Sequence, residues 1–253
     1  MRKTAITLAG TTAIGLCLGV SAGSAADMGL PLKAPLPAPA PFSWTGCYGG
    51  LQFGGAAQTD NFASLTDFEG SSGTGSNGLG VIAGGQIGCN YQISQLVVGI
   101  EGDGVWSSVR NTAGATFGTG VDTEGFQLRS ANHWDADVAI RVGMAFDRLL
   151  IYGKGGVAWG GFNFKESFSV GGTTTEIING NATLPGLLIG VGMEYAFFTN
   201  WTAKIEYNYI AFEQQQVNFN ETVDGVVIPA DAFGQNFGAT KQIIKVGVNY
   251  KFW

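Results

Sequence analysis

Residues 134–146, WDADVAIRVGMAF, decide the fold. One set of alternate residues is apolar: Trp134, Ala136, Val138, Ile140, Val142, Met144 and Phe146. The other set is charged or small: Asp135, Asp137, Ala139, Arg141, Gly143 and Ala145. A β-strand places alternate side chains on opposite faces. The stretch is therefore predicted to form a strand with one apolar face and one polar face.

Seven other segments repeat this alternation, with weaker contrast in the first two because of their glycines: 44–56, 79–91, 98–106, 151–159, 187–195, 201–209 and 244–252. Segments of about ten to thirteen residues match the length that a tilted strand needs to cross a bilayer. Short turns are predicted at 92–95, 147–148 and 198–200. Long loops are predicted at roughly 57–77, 108–132, 163–183 and 213–240. The pattern predicts an all-β protein, an eight-stranded antiparallel up-and-down transmembrane β-barrel.

The composition supports this class. Glycine contributes 41 of 253 residues, and charged residues are 13%, about half of the usual share. Apolar residues stand at 45%, yet no mature segment approaches 18 consecutive apolar residues, which argues against a helical membrane protein. Aromatic residues are 12%, which argues against disorder.

The N-terminal region is predicted to direct export. Arg2 and Lys3 precede an apolar stretch, and small residues before Asp27 fit a cleavage site. Residues 1–26 are therefore predicted to be a signal peptide. Residues 27–41 hold five of the seven prolines and are predicted to be a Pro-rich periplasmic linker. Residues 42–253 form the predicted outer-membrane barrel.

Aromatic side chains and charges indicate which phase faces lipid. Aromatic residues are predicted to form two interfacial girdles, one containing Trp44, Tyr91, Phe146, Tyr195, Trp201 and Phe252, the other containing Phe53, Trp106, Trp134, Trp159 and Tyr209. The polar phase carries both signs, so its members are predicted to pair inside a narrow barrel. This interior charge network comprises Glu101, Asp103, Asp135, Asp137, Arg141, Lys154, Glu194, Lys204, Glu206 and Lys245.

A five-residue pattern, apolar-Gly-apolar-x-aromatic, recurs at the ends of four predicted strands: 87–91, 142–146, 191–195 and 246–250. Each copy comes just before a short turn or the C-terminus. The repeat predicts an inward glycine and an outward aromatic residue at one level of the barrel, although propeller blades can imitate such a period.

Several motifs resemble a known family. The C-terminal Lys245, Gly247, Tyr250 and Phe252 match an outer-membrane assembly signal, with Trp253 as an added residue. FSWTGCY at 42–48, GQIGCNY at 85–91, GIEGD at 99–103 and NWTAKIEY at 200–207 are further matches. Together they resemble the alphaproteobacterial outer-membrane immunogenic proteins of the porin family. The resemblance implies a barrel like the transmembrane domain of outer membrane protein A, and little about activity.

Two cysteines remain after export, Cys47 and Cys89. They lie on neighbouring predicted strands near the periplasmic end, both in the lipid-facing phase. An oxidising compartment favours a cross-strand disulfide. Two buried free thiols are the alternative.

His133 is the only histidine and lies at the predicted outer rim, near Ser130 and Asp135. A rim His and Ser also occur in outer-membrane lipid-modifying enzymes, and a plain polar rim residue is the competing interpretation. No His/Cys set has metal-ligand spacing, so neither a metal nor a cofactor is expected.

The functional prediction is an outer-membrane protein with a structural and surface-interaction role and no catalysis. A small porin-type channel is the second hypothesis, and a lipid-modifying enzyme the third. Eight strands leave an interior just wide enough for side chains, so negligible conductance is predicted. The expected partners are outer-membrane lipid, the barrel assembly machinery and an unidentified host or surface ligand. No nucleic acid is expected, and the protein is predicted to be a monomer.

Overall fold

A computed structural model describes residues 42–62, 76–117, 124–170, 173–223 and 226–252. These residues form ten strands: β1 Gly46–Phe62, β2 Ser76–Ile93, β3 Leu96–Ser107, β4 Arg110–Phe117, β5 Glu124–Phe146, β6 Leu149–Val170, β7 Thr173–Ala196, β8 Trp201–Phe212, β9 Gln215–Val223 and β10 Val226–Lys251. The predicted signal peptide and linker lie outside the described residues and stay predictions. In the described part of the chain, no helix is long and apolar enough to cross a membrane.

Eight of the strands close into an antiparallel barrel, which confirms the predicted fold class. Their order around the barrel is β1, β2, β3, β5, β6, β7, β8 and β10. Pairing of β1 with β10 closes the ring, from Tyr48↔Lys251 to Phe62↔Phe237. The two other strands follow β3 and β8 after short breaks: β4 pairs with β5, and β9 pairs with both β10 and β7.

Three tight connections join the strands at one end of the barrel, as predicted. They lie between β2 and β3, between β5 and β6, and between β7 and β8. Ser94 and Asp147 adopt left-handed backbone conformations, with φ of 57° and 53°, which allows the chain to reverse within two residues. In outer-membrane barrels the end with the short turns is periplasmic.

The predicted long loops are wrong over much of their length, because the strands continue through them. β5 has 23 residues, β6 has 22, β7 has 24 and β10 has 26. A bilayer needs only about 9–11 residues of a tilted strand. Residues 124–132, 163–170, 173–183 and 226–240 therefore extend paired sheet beyond the membrane on the extracellular side. Outside the apolar belt, described outward residues such as Gln127, Arg129, Asn163, Lys165 and Thr183 are polar, so the sequence loses the apolar outer face that marks a membrane strand.

The apolar phase faces outward along the membrane-spanning part of each strand. Leu187, Ile189 and Val191 are 61–69% exposed, whereas Leu188 and Glu194 between or beside them are buried. The prediction that Trp44 belongs to an outward aromatic girdle is wrong. It is only 2% exposed and lies inside the periplasmic end, where its indole nitrogen donates to the carbonyl of Asp147 at 3.0 Å. Trp44 precedes β1, so strand alternation does not determine its direction.

Candidate functional site

Two buried tyrosines define the periplasmic half of the barrel interior. Tyr48 lies opposite Gly88 on β2, and Tyr152 lies opposite Gly192 on β7. A Cβ atom at Gly88 would approach the Tyr48 hydroxyl oxygen to 2.5 Å, and one at Gly192 would approach the Tyr152 ring to 2.6 Å. The inward glycines of the sequence repeat therefore leave room for these rings.

Arg141 lies between the two rings and is 1% exposed. Its guanidinium carbon is 3.9 Å from the centre of the Tyr152 ring and 5.5 Å from that of Tyr48. Nη1 donates to Glu101 at 3.0 Å and to the Tyr48 hydroxyl, and Nη2 donates to Glu194 at 2.7 Å. The planar guanidinium thus connects residues from four strands, a role that its fixed fork of donors suits.

Three lysines surround the remaining carboxylates. Lys154 Nζ lies 2.7 Å from Asp103, 3.1 Å from Glu206 and 3.2 Å from Glu101. It also lies 3.5 Å from Asp137. Lys245 Nζ lies 3.0 Å from Asp103 and 3.1 Å from Glu206. We call the buried set the charge layer, and it comprises Arg141, Lys154, Lys204, Lys245, Glu101, Asp103, Asp137, Glu194 and Glu206.

The charge layer spans the full width of the barrel. Lys204 is on β8 and Glu101 is on β3, which are four places apart in a ring of eight strands and so face each other. Their Nζ and Oε1 atoms are nevertheless 3.2 Å apart. Side chains from opposite walls therefore meet in the middle of the interior.

A second polar cluster lies further toward the extracellular end. Lys241 Nζ donates to Asp135 at 2.5 Å, to Asn132 at 2.7 Å and to Ser107 at 3.0 Å. The predicted network residue Asp135 thus belongs here rather than in the charge layer. Asp60 is also buried and accepts a hydrogen bond from Ser130.

Sequence reasoning missed Lys241 and Asp60 because it ended the strands too early. Asp60 fell in the loop predicted at 57–77, and Lys241 fell between the loop predicted at 213–240 and the strand segment predicted at 244–252. Their positions still carried a signal, since Lys241 has the same parity as Lys245, and Asp60 the same parity as Tyr48. Extending the alternation along β10 and β1 would have placed both inside.

Four phenylalanines pack inside the barrel above the charge layer. We call Phe162, Phe164, Phe212 and Phe237 the aromatic layer. The ring centre of Phe162 lies 5.3 Å from that of Phe212 and 5.4 Å from that of Phe237. Phe164 and Phe237 are 4.6 Å apart at 71°, an edge-to-face contact. The predicted inner face was charged or small, so these inward aromatic residues are a correction.

Glu101, Asp103 and Glu206 bring carboxylate oxygens within 4.8 Å of one another, which is close enough to hold a metal ion. The Lys154 ammonium already lies 2.7–3.2 Å from all three carboxylates, however. The group therefore already binds a side-chain cation, and its geometry does not favour a metal.

His133 does not join the two residues considered with it as an enzymatic group. It is the extra residue of a β-bulge between Asn132 and Trp134, and it is exposed on the outer surface. Ser130 and Asp135 are buried in the interior, where they contact Asp60 and Lys241. The three side chains therefore lie on opposite sides of the barrel wall.

Cys47 and Cys89 are directly opposite each other on β1 and β2, and a disulfide joins them. Their Cα atoms are 4.0 Å apart. Of the predicted assembly signal, Tyr250 and Phe252 face outward at the periplasmic end, with 40% and 54% exposure. Lys245 of the same signal points inward and belongs to the charge layer.

A closed barrel with an apolar outer belt and a polar, side-chain-filled interior defines a transmembrane β-barrel of the outer-membrane class. Residues 29–252 match the outer membrane protein beta-barrel domain, and the chain belongs to this family, which places it in the cell outer membrane. It is 32% identical over 221 residues to the 31 kDa outer-membrane immunogenic protein of Brucella melitensis biotype 1, covering 83% of this chain and 85% of that protein.

A second relative is the 22 kDa outer membrane protein of Rhizobium leguminosarum bv. viciae, with 26% identity over 171 residues, 67% of this chain and 66% of that protein. Both relatives are named as outer-membrane proteins and not as enzymes. Among solved structures, the outer membrane protease OmpT from Escherichia coli superimposes with a TM-score of 0.49 at 10% identity, over 83% of this chain and 98% of that chain.

Proposed function

We propose that the protein is a sealed outer-membrane barrel with a structural and surface-interaction role and no catalytic activity. It supports envelope integrity and holds extracellular sheet extensions at the cell surface, where they act as an antigen. The contact between Lys204 and Glu101 carries this proposal, because it joins opposite walls of the barrel at 3.2 Å.

The chemistry of the interior supports a closed barrel rather than a channel. A solute would have to separate buried ion pairs of the charge layer, and breaking such pairs costs several kcal/mol, on the order of 3–5 kcal/mol for each stranded partner. It would then meet the aromatic layer, whose rings offer no hydrogen-bond partner and which lies beside the Lys241 cluster, with Phe162 opposite Asn132 and Phe164 opposite Ser130. Two unlike barriers therefore lie in series along the barrel axis.

Support for the surface role comes from the length of the strands and from the relatives. β5, β6, β7 and β10 all extend well past the membrane, so a stable sheet projects from the cell. The Brucella relative is named as an immunogenic protein. The disposition of His133, Ser130 and Asp135 argues against the lipid-modifying enzyme, because no shared site brings them together.

Conductance in planar bilayers tests the sealed barrel. Folded protein is identified first by its heat-modifiable electrophoretic mobility and then inserted at high salt. We expect no steady conductance steps and no swelling of proteoliposomes in small sugars. As a matched control, a variant carrying E101A, K204A, F162A and F237A removes both barriers and is expected to conduct if it folds. Stable steps and sugar-driven swelling from the unmodified protein would instead identify a small porin-type channel.

A further inference from the structure

The exposed cations of the extracellular half occupy one side of the barrel. Among the side chains that the structure describes, five of the basic ones are buried in the interior, and Arg148 and Lys251 lie at the periplasmic end. The other three are Arg110, Arg129 and Lys165, on the adjacent strands β4, β5 and β6. This grouping is not required by the ion pairs of the interior, because all three side chains point outward.

The strand register arranges these cations as two neighbouring rows. In one row Arg129 lies directly between Thr112 and Lys165, and Lys165 lies opposite Asn179. In the next row Arg110 lies opposite Ala131. That row continues through Asn163 and Asn181. We call the polar residues of these rows the outer basic face: Arg110, Thr112, Arg129, Asn163, Lys165, Asn179 and Asn181.

Over the residues that the structure describes, the outer basic face has positive charge without matching negative charge. Like charges directly opposite each other on a sheet, such as Arg129 and Lys165, are destabilising. No position of the two rows is a carboxylate, and no described carboxylate forms a salt bridge with Arg110, Arg129 or Lys165. An anion bound between the rows would remove this repulsion. Guanidinium groups are suited to phosphate because their paired donors match two of its oxygens.

The position of this face indicates the kind of anion. Its rows lie three to six residues beyond the outward tryptophans Trp106, Trp134 and Trp159, which mark the edge of the apolar belt. At about 3.3 Å per residue this is about 10–20 Å along a tilted strand. Arginine and lysine side chains can reach back toward the belt, so the charges lie over the polar layer of the outer leaflet.

A shallow pocket lies between the outer basic face and the belt. Its volume is about 400 Å³, and its walls include His133, Trp134, Asn163, Asn181 and Thr183. The β-bulge at His133 lies in the wall of this pocket. Amide, hydroxyl and imidazole groups beside an indole ring suit a sugar, which presents hydroxyls at its edge and an apolar face.

We infer that the outer basic face and the pocket beneath it form a binding site for a phosphorylated glycolipid of the outer leaflet. Arg110, Arg129 and Lys165 bind its phosphates, the pocket takes a sugar of its headgroup, and its acyl chains lie along the apolar belt. The site is on the outside of the barrel, so it is independent of whether the interior conducts.

Binding of purified bisphosphorylated lipid A to the full-length protein in detergent micelles tests the site. The variant R110Q/R129Q/K165Q is compared with R148Q/K251Q, which removes two cations at the periplasmic end, the exposed Arg148 and the half-buried Lys251. Each charge near a lipid phosphate contributes roughly a fivefold change in affinity, so we expect the triple variant to bind about a hundredfold more weakly. The periplasmic variant should bind like the unmodified protein. Dephosphorylated lipid A should bind weakly to all three proteins.

The side chains changed here are exposed or, for Lys251, half-buried at the periplasmic end, so heat-modifiable mobility should show that each variant is folded. Equal lipid A affinity in the triple variant and the unmodified protein would overturn the proposal, as would equal binding of the dephosphorylated lipid. Phosphatidylglycerol micelles provide a further comparison, and equal affinity for them would overturn the assignment of a glycolipid, because charge alone would then be recognised. A soluble sulfated polysaccharide that binds these cations more tightly than lipid A would also overturn it.

Discussion

The charge layer and the aromatic layer occupy the same barrel but fill it by opposite means. β6 contributes Lys154 to the first and Phe162 to the second, and both side chains point inward because they share the parity of the strand. β8 does the same with Glu206 and Phe212. The direction of a side chain is therefore set by the backbone, and polarity decides only how the space is filled.

The two layers differ in how their members depend on one another. A buried charge is stable only beside its partner, so loss of one residue leaves others unpaired. A phenylalanine loses packing contacts when its neighbour is shortened, but no polar group is left unpaired. Changes in the charge layer should therefore spread across several strands, whereas changes in the aromatic layer should stay local.

Replacement of Arg141 by Met should have the largest effect. It removes the cation that joins Glu101, Glu194 and the two tyrosine rings, and we expect a loss of about 3–5 kcal/mol in the free energy of unfolding. Urea titration in detergent or liposomes, followed by tryptophan fluorescence, measures the loss. R148M is the matched control, since Arg148 lies in an exposed turn. Equal midpoints for the two variants would show that the charge layer does not hold the walls together.

Replacement of Phe162 by Ala should rank second, at about 3 kcal/mol, the lower end of the range for a buried phenylalanine. Phe164, Phe212 and Phe237 can partly relax into the space, and no charge is stranded. F146A is the control on the outer face, because Phe146 is 54% exposed in the apolar belt. The same urea titration applies. Equal destabilisation by F146A and F162A would contradict the prediction that packing inside the barrel makes Phe162 the more important residue.

The contrast between the layers also explains what the sequence revealed. The charge layer was predictable because acids and bases alternate with Ile, Val and Tyr inside the membrane, where only the lumen can accept them. The aromatic layer was not, because Phe162 and Phe164 alternate with Gly161, Asn163 and Lys165 beyond the apolar belt, and an aromatic residue there suits either face. The strand extensions were missed for the same reason. Contacts between distant strands, such as Lys204 with Glu101, depend on closure of the barrel, and a local sequence pattern does not predict which residues then meet.

Loss of the disulfide between β1 and β2 should lower the free energy of unfolding, because the bond lies in the barrel wall beside the charge layer. Cys47 adjoins Tyr48, so the bond fixes the β1–β2 pair at the level of that layer. The crosslink spans 42 residues, and we expect C47S/C89S to lose about 2 kcal/mol, the lower end for such a loop, because strand pairing already restrains it.

Electrophoresis without reductant provides the readout for this bond. The unmodified protein should change mobility on reduction after unfolding, and C47S/C89S should not. Complete thiol labelling of the unmodified protein without reductant would show two free cysteines instead. The serine variant controls for the effect of the reductant itself on the rest of the barrel.

The smallest effect should come from single methyl groups added to glycines on opposite faces of the same wall. At Gly192 a Cβ would lie 2.6 Å from the Tyr152 ring, so G192A must displace that ring from Arg141 and Glu206. We expect a loss of about 1–2 kcal/mol from this overpacking. At Gly153, which faces lipid, the nearest atom to a new Cβ is a carbonyl oxygen at 3.7 Å. G153A should therefore be neutral or stabilise the protein by up to about 0.5 kcal/mol, because it reduces the conformational entropy of the unfolded chain.

A second substitution, Y152L, tests whether the Tyr152 ring causes the cost of G192A. It removes the ring, so in that background G192A should destabilise the protein less, with a coupling energy of about 1 kcal/mol. If G192A lowered the free energy of unfolding equally with and without the Tyr152 ring, the glycine at this position of the repeat would not be needed to make room for that ring.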